Sequence, residues 1–578
     1  TCTCCIHGVS LAACGNSGSK ETEGTAANSS SAAAETTASG ETEAEGDPVK
    51  GGTLTISLSA SPSKLDPIHY SGVYESEIIK NVCDTLMEYN KDLSEYVPSL
   101  ATDWTVSDDG MTYVFNIRQG VKFQKGKYQD GREMTAEDVA YSLNRSGELS
   151  DSNRLSMLDK AEATGDYEVT CTLKTANSSF LTALTDAGNA IVPKEEVEGW
   201  GDDFGSHLVG TGPFSLESFQ LDQQAVLKKN VDYWLAEPNL DEVIFKVITD
   251  STQAANALQT GELDVAMDLK GESVQKVKDN ADLTLLETPG LHVAYIYFNM
   301  EQGPTADIKV RKALIEAVNV EEMVASLYKY GEAQKASLPL PPGSWGYDAS
   351  LESKVPGYDP EDAKALLAEA GYGDGLTLDL YISDTEARQN MAVLLQAYWA
   401  QVGVTLNIHA SEWGTFSEVA MSNNADVYGM SWTWYPDPYF FLNKLFSTDE
   451  FGGIGNGQHY SNPQVDELLQ KALEATDQAD RADYYKQALA LIVDDLPGLF
   501  YANENVIYGV NGRVHDFIQR ADSTVKFVTT ENNVWVTRLN INECLKSGAR
   551  QFAPLFFKKS AVDCGQLENE NGGVLSKC

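Results

Sequence analysis

The run Met111-Thr112-Tyr113-Val114-Phe115-Asn116-Ile117 alternates apolar and polar side chains, which predicts a half-buried β-strand. The turn-prone Asp108-Asp109-Gly110 leads into this strand. Thr135-Ala136-Glu137-Asp138 follows with the spacing of a helix capping box, and Val139 and Leu143 fall on one face of the helix after it. A strand followed at short range by a capped helix predicts an α/β arrangement.

The same alternation of strands and helices continues from residue 51 to about residue 540. Its clearest strands are Thr53–Leu58, Tyr295–Phe298 and Leu376–Ile382, and its clearest helices are Val310–Val318, Asp362–Ala370 and Val465–Ala472. Because the two periodicities alternate along the chain, they predict α/β lobes rather than a β-sandwich.

The two ends of the chain differ from this body. Leu11-Ala12-Ala13-Cys14 is the pattern for cleavage and lipid attachment in an exported protein, so we interpret residues 1–14 as a truncated lipoprotein signal and predict lipidation of Cys14. Residues 15–50 are rich in Ser, Ala and Glu and predict a disordered tether. Residues 541–578 show no clear periodicity and form an atypical tail.

Charge restricts the partners of this protein. The chain has 42 Lys and Arg against 85 Asp and Glu, a formal net charge of -43. Such a field repels phosphate backbones, which excludes nucleic acid as a partner. No run of about twenty apolar residues occurs, so a membrane association would depend on the lipid.

Motifs for catalysis and metal binding are lacking. The sequence has no Gly-x-Ser-x-Gly elbow and no phosphate-binding loop, and its seven histidines are scattered, so we predict neither an enzyme nor a metal site. Cys83 and Cys171 are the only cysteines in the α/β body, which excludes a disulfide framework and leaves one bridge between these two as an alternative.

Nine short motifs occur in a fixed order along the body. They are Leu65-Asp66-Pro67, Pro98-Ser99-Leu100-Ala101-Thr102-Asp103-Trp104, Phe115 to Phe123, Thr135 to Leu143, Gly210-Thr211-Gly212-Pro213-Phe214, Asn230-Val231-Asp232-Tyr233-Trp234, Gly261-Glu262-Leu263-Asp264, Phe298-Asn299 and Val310-Arg311-Lys312-Ala313-Leu314. In this order the chain resembles extracellular solute-binding protein family 5, the peptide- and nickel-type substrate-binding lipoproteins of ABC transporters.

The resemblance implies a two-lobe, periplasmic-binding-protein-like α/β fold with an accessory subdomain in the first lobe. We expect lobe I over residues 51–293, its accessory subdomain over about 94–205, lobe II over 294–500 and a return to lobe I over 501–540. The resemblance also implies a monomer without a cofactor that delivers a peptide or other small solute to an ABC permease. It would act at the outer face of the cell membrane, held by its lipid, or in the periplasm.

The resemblance also indicates ligand-binding residues. The segment Trp432-Thr433-Trp434-Tyr435 with Asp437 matches one that lines the cleft in the family. The other matching positions are Ser71, Val73, Tyr297, Trp413 and Tyr501. The alternative for each aromatic residue is a place in the hydrophobic core.

The chain departs from the family at this segment. Peptide receptors often place an aspartate where this chain has Trp434, and no Arg or Lys occurs between Trp413 and Trp432 to bind a ligand carboxylate. An opine, an oligosaccharide or a nickel chelate therefore stays open as the ligand beside a peptide. A secreted hydrolase that uses a carboxylate pair, and a surface adhesin or signalling receptor, are the alternative functions.

Overall fold

The computed structural model describes residues 48–537, in which strands and helices alternate. The strands are β1 (Thr53–Leu58), β2 (Met87–Tyr89), β3 (Tyr96–Pro98), β4 (Ala101–Val106), β5 (Thr112–Ile117), β6 (Leu158–Gly165), β7 (Glu168–Leu173), β8 (Phe214–Gln220), β9 (Gln224–Lys229), β10 (Glu242–Val247), β11 (Val265–Ala266), β12 (Leu283–Pro289), β13 (His292–Phe298), β14 (Ala333–Lys335), β15 (Leu376–Ser383), β16 (Val404–Ser411), β17 (Val427–Thr433), β18 (Gly498–Asn511), β19 (Val514–His515) and β20 (Trp535–Val536). The helices are α1 (Val73–Val82), α2 (Ala136–Leu149), α3 (Phe180–Ala183), α4 (Lys194–Trp200), α5 (Ser251–Thr260), α6 (Glu272–Lys278), α7 (Ile308–Glu316), α8 (Val320–Leu327), α9 (Pro360–Glu369), α10 (Glu386–Ala400), α11 (Trp413–Met421), α12 (Tyr439–Phe446), α13 (Pro463–Glu474) and α14 (Gln478–Asp495).

The long strand β18 joins two halves of a 12-stranded sheet. Its first half pairs with β13 and β14, and its second half, Asn505–Asn511, pairs with β12 and contacts β11. The strand order is β16-β15-β17-β13-β18-β11-β1-β10-β9-β8. The strands on the β13 side form the second lobe and those on the β11 side form the first, which confirms the two-lobe α/β fold.

The first lobe packs helices on both faces of its part of the sheet. β1 pairs in parallel with β10, and its buried Leu54 and Ile56 contact a core that also includes α1 and the segment 525–536. The helices α5 and α6 form a second, smaller core against β11, β12 and β18. Asp250 caps the start of α5, since its side chain accepts from the amide of Gln253, and Gly261 follows the last residue of the helix in the left-handed conformation.

The accessory subdomain is a separate antiparallel sheet in the order β4-β5-β7-β6, with α2 packed on it. The predicted capping box is present: the Thr135 side chain accepts from the third helical amide, and Asp138 accepts from the Thr135 amide. Phe115 from β5 is fully buried in a hydrophobic core that belongs to this subdomain and is separate from the cores of the two lobes. The strand and helix that the sequence predicted here are therefore confirmed.

The second lobe is also a three-layer arrangement. β15 pairs in parallel with β16 and β17, while β13 runs antiparallel between β17 and β18. Helices α7–α10 cover one face of this sheet, and α11–α14 cover the other. The carboxyl end of β15 and the start of α10 share a cavity with residues of the first lobe.

The two body cysteines do not form a bridge. Cys83 and Cys171 are both buried free thiols, so the alternative of a Cys83–Cys171 disulfide is wrong. Burial raises the pKa of both thiols, that of Cys171 to about 12, which keeps them protonated and unreactive at neutral pH.

Two other sequence predictions concern the membrane. No helix within residues 48–537 combines the length and apolar composition that a bilayer crossing requires. Cys14, residues 15–47 of the predicted tether and the tail from residue 541 lie outside the described residues, so lipidation of Cys14 stays a prediction.

Candidate functional site

A cavity of about 900 Å³ lies beside the middle of β18, where the strand passes from one lobe to the other. The first lobe contributes Val73 and Tyr74 from the start of α1 and residues 268–270 after β11. The second lobe contributes the end of α8, Ser383, residues 385–388, Asn390 and the end of β17. This volume lies within the range of sites that enclose small molecules, about 300–1,000 Å³.

Arg388 is the cation that the second lobe directs to this cavity. It lies in the first turn of α10, which begins after Thr385, the residue whose hydroxyl accepts from the Arg388 amide. Its guanidinium donates to the hydroxyl oxygen of Ser431 at 2.5 Å and to that of Tyr501 at 3.4 Å. It forms no ion pair with any carboxylate of residues 48–537, so its charge is available to an anion.

Glu504 on β18 supplies an opposite charge in the same cavity. Its carboxylate accepts from the hydroxyl of Tyr328 at 3.1 Å and lies 3.8 Å from Nε2 of His292. Burial lowers the pKa of His292, so the ring is neutral at pH 7 and does not neutralise Glu504. Burial, with the Glu504 charge next, raises the pKa of Tyr328 and keeps its hydroxyl a donor.

Four further carboxylates line the cavity: Glu386 is exposed at the start of α10, and the other three have protein partners. Asp268 accepts from the hydroxyls of Tyr74 at 2.7 Å and Ser59 at 2.9 Å. Glu332 accepts from two backbone amides, and Asp522 pairs with Arg520 at 2.7 Å. Glu504 is therefore less completely satisfied by the fold than these three.

The aromatic part of the lining comes from the end of β17. Trp434 lines the cavity and keeps 43% of its surface exposed. Its ring lies nearly parallel to those of Trp432 and Phe440, each at a centroid distance of 5.7 Å. The indole N–H of Trp432 donates to the carbonyl of Phe440 at 2.7 Å, which links the two residues that flank Trp434.

The structure brings four of the ten predicted ligand-binding residues to this cavity. They are Val73, Thr433, Trp434 and Tyr501. Trp432 and Tyr435 are half-buried and pack with Trp434 without lining the cavity. Ser71 and Trp413 are exposed, and neither belongs to the lining.

The other two predicted residues are fully buried. Tyr297 stacks on Tyr295 at 4.1 Å in the second-lobe core, as the alternative for the aromatic residues expected. Asp437 pairs with Arg481 at 2.8 Å inside the protein. A ligand role for either residue stays a prediction that this geometry does not support.

Arg388 and Glu504 are not among the ligand-binding residues that the sequence predicted. Arg388 could have been found from its place just after β15, because ligands of open α/β sheets bind at the carboxyl ends of parallel strands. Glu504 had no such signal, since it lies inside a 14-residue strand. Within residues 48–537 no group of three or more His, Cys, Asp or Glu is placed to hold a metal ion.

Comparison with known proteins gives a family match over most of the body. The model for bacterial extracellular solute-binding proteins, family 5, middle part, matches residues 95–453. The dipeptide-binding protein of Escherichia coli is 30% identical over 498 residues, which are 81% of this chain and 92% of that protein.

Solved structures give the same result. HbpA2 from Haemophilus parasuis aligns with a TM-score of 0.78 at 28% identity, over 84% of this chain and 100% of that one. The dipeptide-binding protein from Pseudoalteromonas in complex with Met-Leu aligns with a TM-score of 0.69 at 28% identity, with the same coverage of both chains.

Proposed function

Because this chain belongs to family 5 of the bacterial extracellular solute-binding proteins, we propose that it is the substrate-binding lipoprotein of an ABC importer. It captures di- or oligopeptides outside the membrane and delivers them chemically unchanged to the permease. Relatives named for dipeptide binding, one of them solved with Met-Leu, support a peptide as the ligand. In this proposal Cys14 carries the lipid and a monomer acts at the membrane surface or in the periplasm.

The domain arrangement follows from the same proposal. Residues 51–293 form lobe I with its accessory subdomain over about 94–205, residues 294–500 form lobe II, and residues 501–540 return to lobe I. The ligand lies between the lobes, so that its binding favours the closed arrangement that a permease can recognise.

The observation that carries the proposal is the guanidinium of Arg388 in the cavity between the lobes. The half-buried guanidinium has only two hydroxyls as side-chain partners, so a carboxylate is its strongest binding partner. A carboxylate can accept two parallel N–H hydrogen bonds from it. The C-terminus of a peptide provides this group. Glu504 offers the opposite charge to the ammonium group of the same ligand.

Calorimetric titration with Met-Leu and with pools of di- to tetrapeptides tests the proposal, followed by mass spectrometry of the recovered peptides. We expect binding, intact peptides and weaker binding of C-terminally amidated forms. Arg388→Ala should remove the preference for a free carboxylate, and Arg388→Lys should keep part of it. Arg118→Ala, which removes an arginine outside the cavity lining, is the control.

Three other results would contradict the proposal. Cleaved peptides would support a hydrolase. Binding of an opine, an oligosaccharide or a nickel chelate without any peptide would keep the receptor role and replace the ligand. Equal affinity of free and amidated peptides would show that Arg388 does not bind the C-terminal carboxylate.

A further inference from the structure

Trp434 is the largest apolar surface that the cavity lining leaves exposed. Its exposed fraction is 43%, whereas the three tyrosines of the lining are half-buried (Tyr74 and Tyr328) or buried (Tyr501). Covering an exposed indole in a concave site with another apolar surface is favourable, because both surfaces are removed from water.

The Trp434 ring is held in place before any ligand arrives. It lies within 18° of the plane of Trp432 and within 11° of the plane of Phe440. Tyr435 packs edge-on against Phe440 at 5.1 Å, and Trp432 is fixed through its bond to the Phe440 carbonyl. These neighbours already restrict the Trp434 ring, so the entropy cost of ordering this side chain on ligand binding is small.

The protein neighbours of the Trp434 ring include three aromatic side chains. The ring packs with these three aromatic rings, and within residues 48–537 no lysine or arginine lies over it. The adjacent Thr433 lies opposite His292 in the β13–β17 pairing, and that histidine is neutral at pH 7. An aromatic or large aliphatic ligand group can cover the exposed indole without the cost of removing a charge from water.

We propose that Trp434 makes the site selective for peptides that carry an aromatic or large apolar side chain at this end of the cavity. The inference rests on the proposed function, because it presumes that the cavity binds peptides. It names the side-chain class that this chain prefers, whereas Arg388 concerns only the carboxylate.

A phenylalanine scan of di-, tri- and tetra-alanine tests the proposal. Each position is replaced in turn by Phe, and binding to the full chain is measured by calorimetry. In the wild type at least one Phe peptide should bind about two- to tenfold more tightly than its all-alanine host, the effect expected for an aromatic pair. Trp434→Ala should abolish this preference while all-alanine peptides still bind, and Trp434→Phe should keep most of it.

Phe451→Ala is the matched control, since Phe451 is an exposed aromatic residue of the second lobe outside the cavity lining. It should leave the preference unchanged. Absence of any Phe preference in the wild type, or its survival in both folded Trp434 variants, overturns the proposal while the peptide receptor stands. Failure of every alanine and Phe peptide to bind the wild type overturns the proposed function, and this inference with it.

Discussion

The hydroxyl of Thr182 donates to the carboxylate of Asp437 at 2.8 Å, and joins residues that are 255 positions apart. Thr182 lies on α3, which packs in the core of the accessory subdomain, whereas Asp437 precedes α12 of the second lobe. The same carboxylate accepts from Arg481 at 2.8 Å, and the hydroxyls of Tyr89 and Tyr96 lie within 3.0 Å of the Thr182 oxygen. The second lobe therefore contacts the accessory region through a buried polar network, on elements that do not line the cavity.

Thr182→Val should lower the free energy of unfolding by about 1.5–3 kcal/mol, because a hydrogen bond to a buried carboxylate is lost while the side-chain shape is kept. Urea denaturation monitored by tryptophan fluorescence measures this change. Thr185→Val is the control: its buried hydroxyl donates to the carbonyl of Thr182, a neutral acceptor, so the loss should be smaller. Equal losses of unfolding free energy in the two variants would show that a charged acceptor stabilises the fold no more than a neutral one.

Arg481→Met should cost about 3–5 kcal/mol of unfolding free energy, because it leaves the fully buried Asp437 carboxylate without its cation. The double variant Asp437→Asn with Arg481→Met should lose less than the sum of the two single variants. The double-mutant cycle, measured in urea, gives the coupling. Additive losses would mean that the pair does not act as a unit.

Tyr501→Phe should weaken binding of peptides with a free carboxylate by about two- to tenfold, since the guanidinium of Arg388 loses one of its two hydroxyl partners. Amidated peptides should be affected less. Tyr428→Phe is the control, because that buried hydroxyl bonds to Gln458 away from the cavity. Equal affinities of Tyr501→Phe and the wild type by calorimetry would show that the Tyr501 hydroxyl does not position the Arg388 guanidinium.

The pair of Glu88 and Lys526 predicts a pH dependence of stability. Burial alone would raise the pKa of Glu88, but the charge and hydrogen bond of Lys526 outweigh it and hold the pKa below its ordinary value. A carboxylate with a depressed folded pKa stabilises the fold fully above its unfolded pKa, about 4.3. That contribution is lost as the pH falls from there through the folded pKa.

Glu88→Gln should accordingly lower the free energy of unfolding at pH 7 by about 1–3 kcal/mol and approach the wild type near pH 3. Urea titrations at pH 7, 5 and 3 measure both. Asp92→Asn, which removes an exposed carboxylate close by in sequence, controls for net charge. A difference between Glu88→Gln and the wild type that stays constant down to pH 3 would contradict the assigned pKa direction.

Local patterns predicted the elements of this fold well. β5 and α2 lie where the alternation of Met111–Ile117 and the capping box at Thr135 placed them, because both signals depend on residues within a few positions of each other. The family resemblance supplied the two lobes, which no local pattern contains.

The site was predicted only in part, because its geometry depends on distant pairings. Thr433 and Trp434 could be found since they stand in one aromatic segment. Asp437 closes the same segment, yet its partner Arg481 lies 44 positions away and draws the carboxylate into the protein. Glu504 reaches the cavity through the register of β18, which only the paired strands define.

The continuous strand β18 has a consequence for how receptors of this kind diversify. The chain leaves the first lobe near Gly290 and returns near Glu504, and the amide of Gly290 donates to the carbonyl of Glu504 at 3.0 Å. The intervening two hundred or so residues are thus a cassette whose entry and exit are neighbours. Recombination at these two points would replace the second lobe, including the ligand-facing Arg388 and Trp434, and leave the first lobe unchanged.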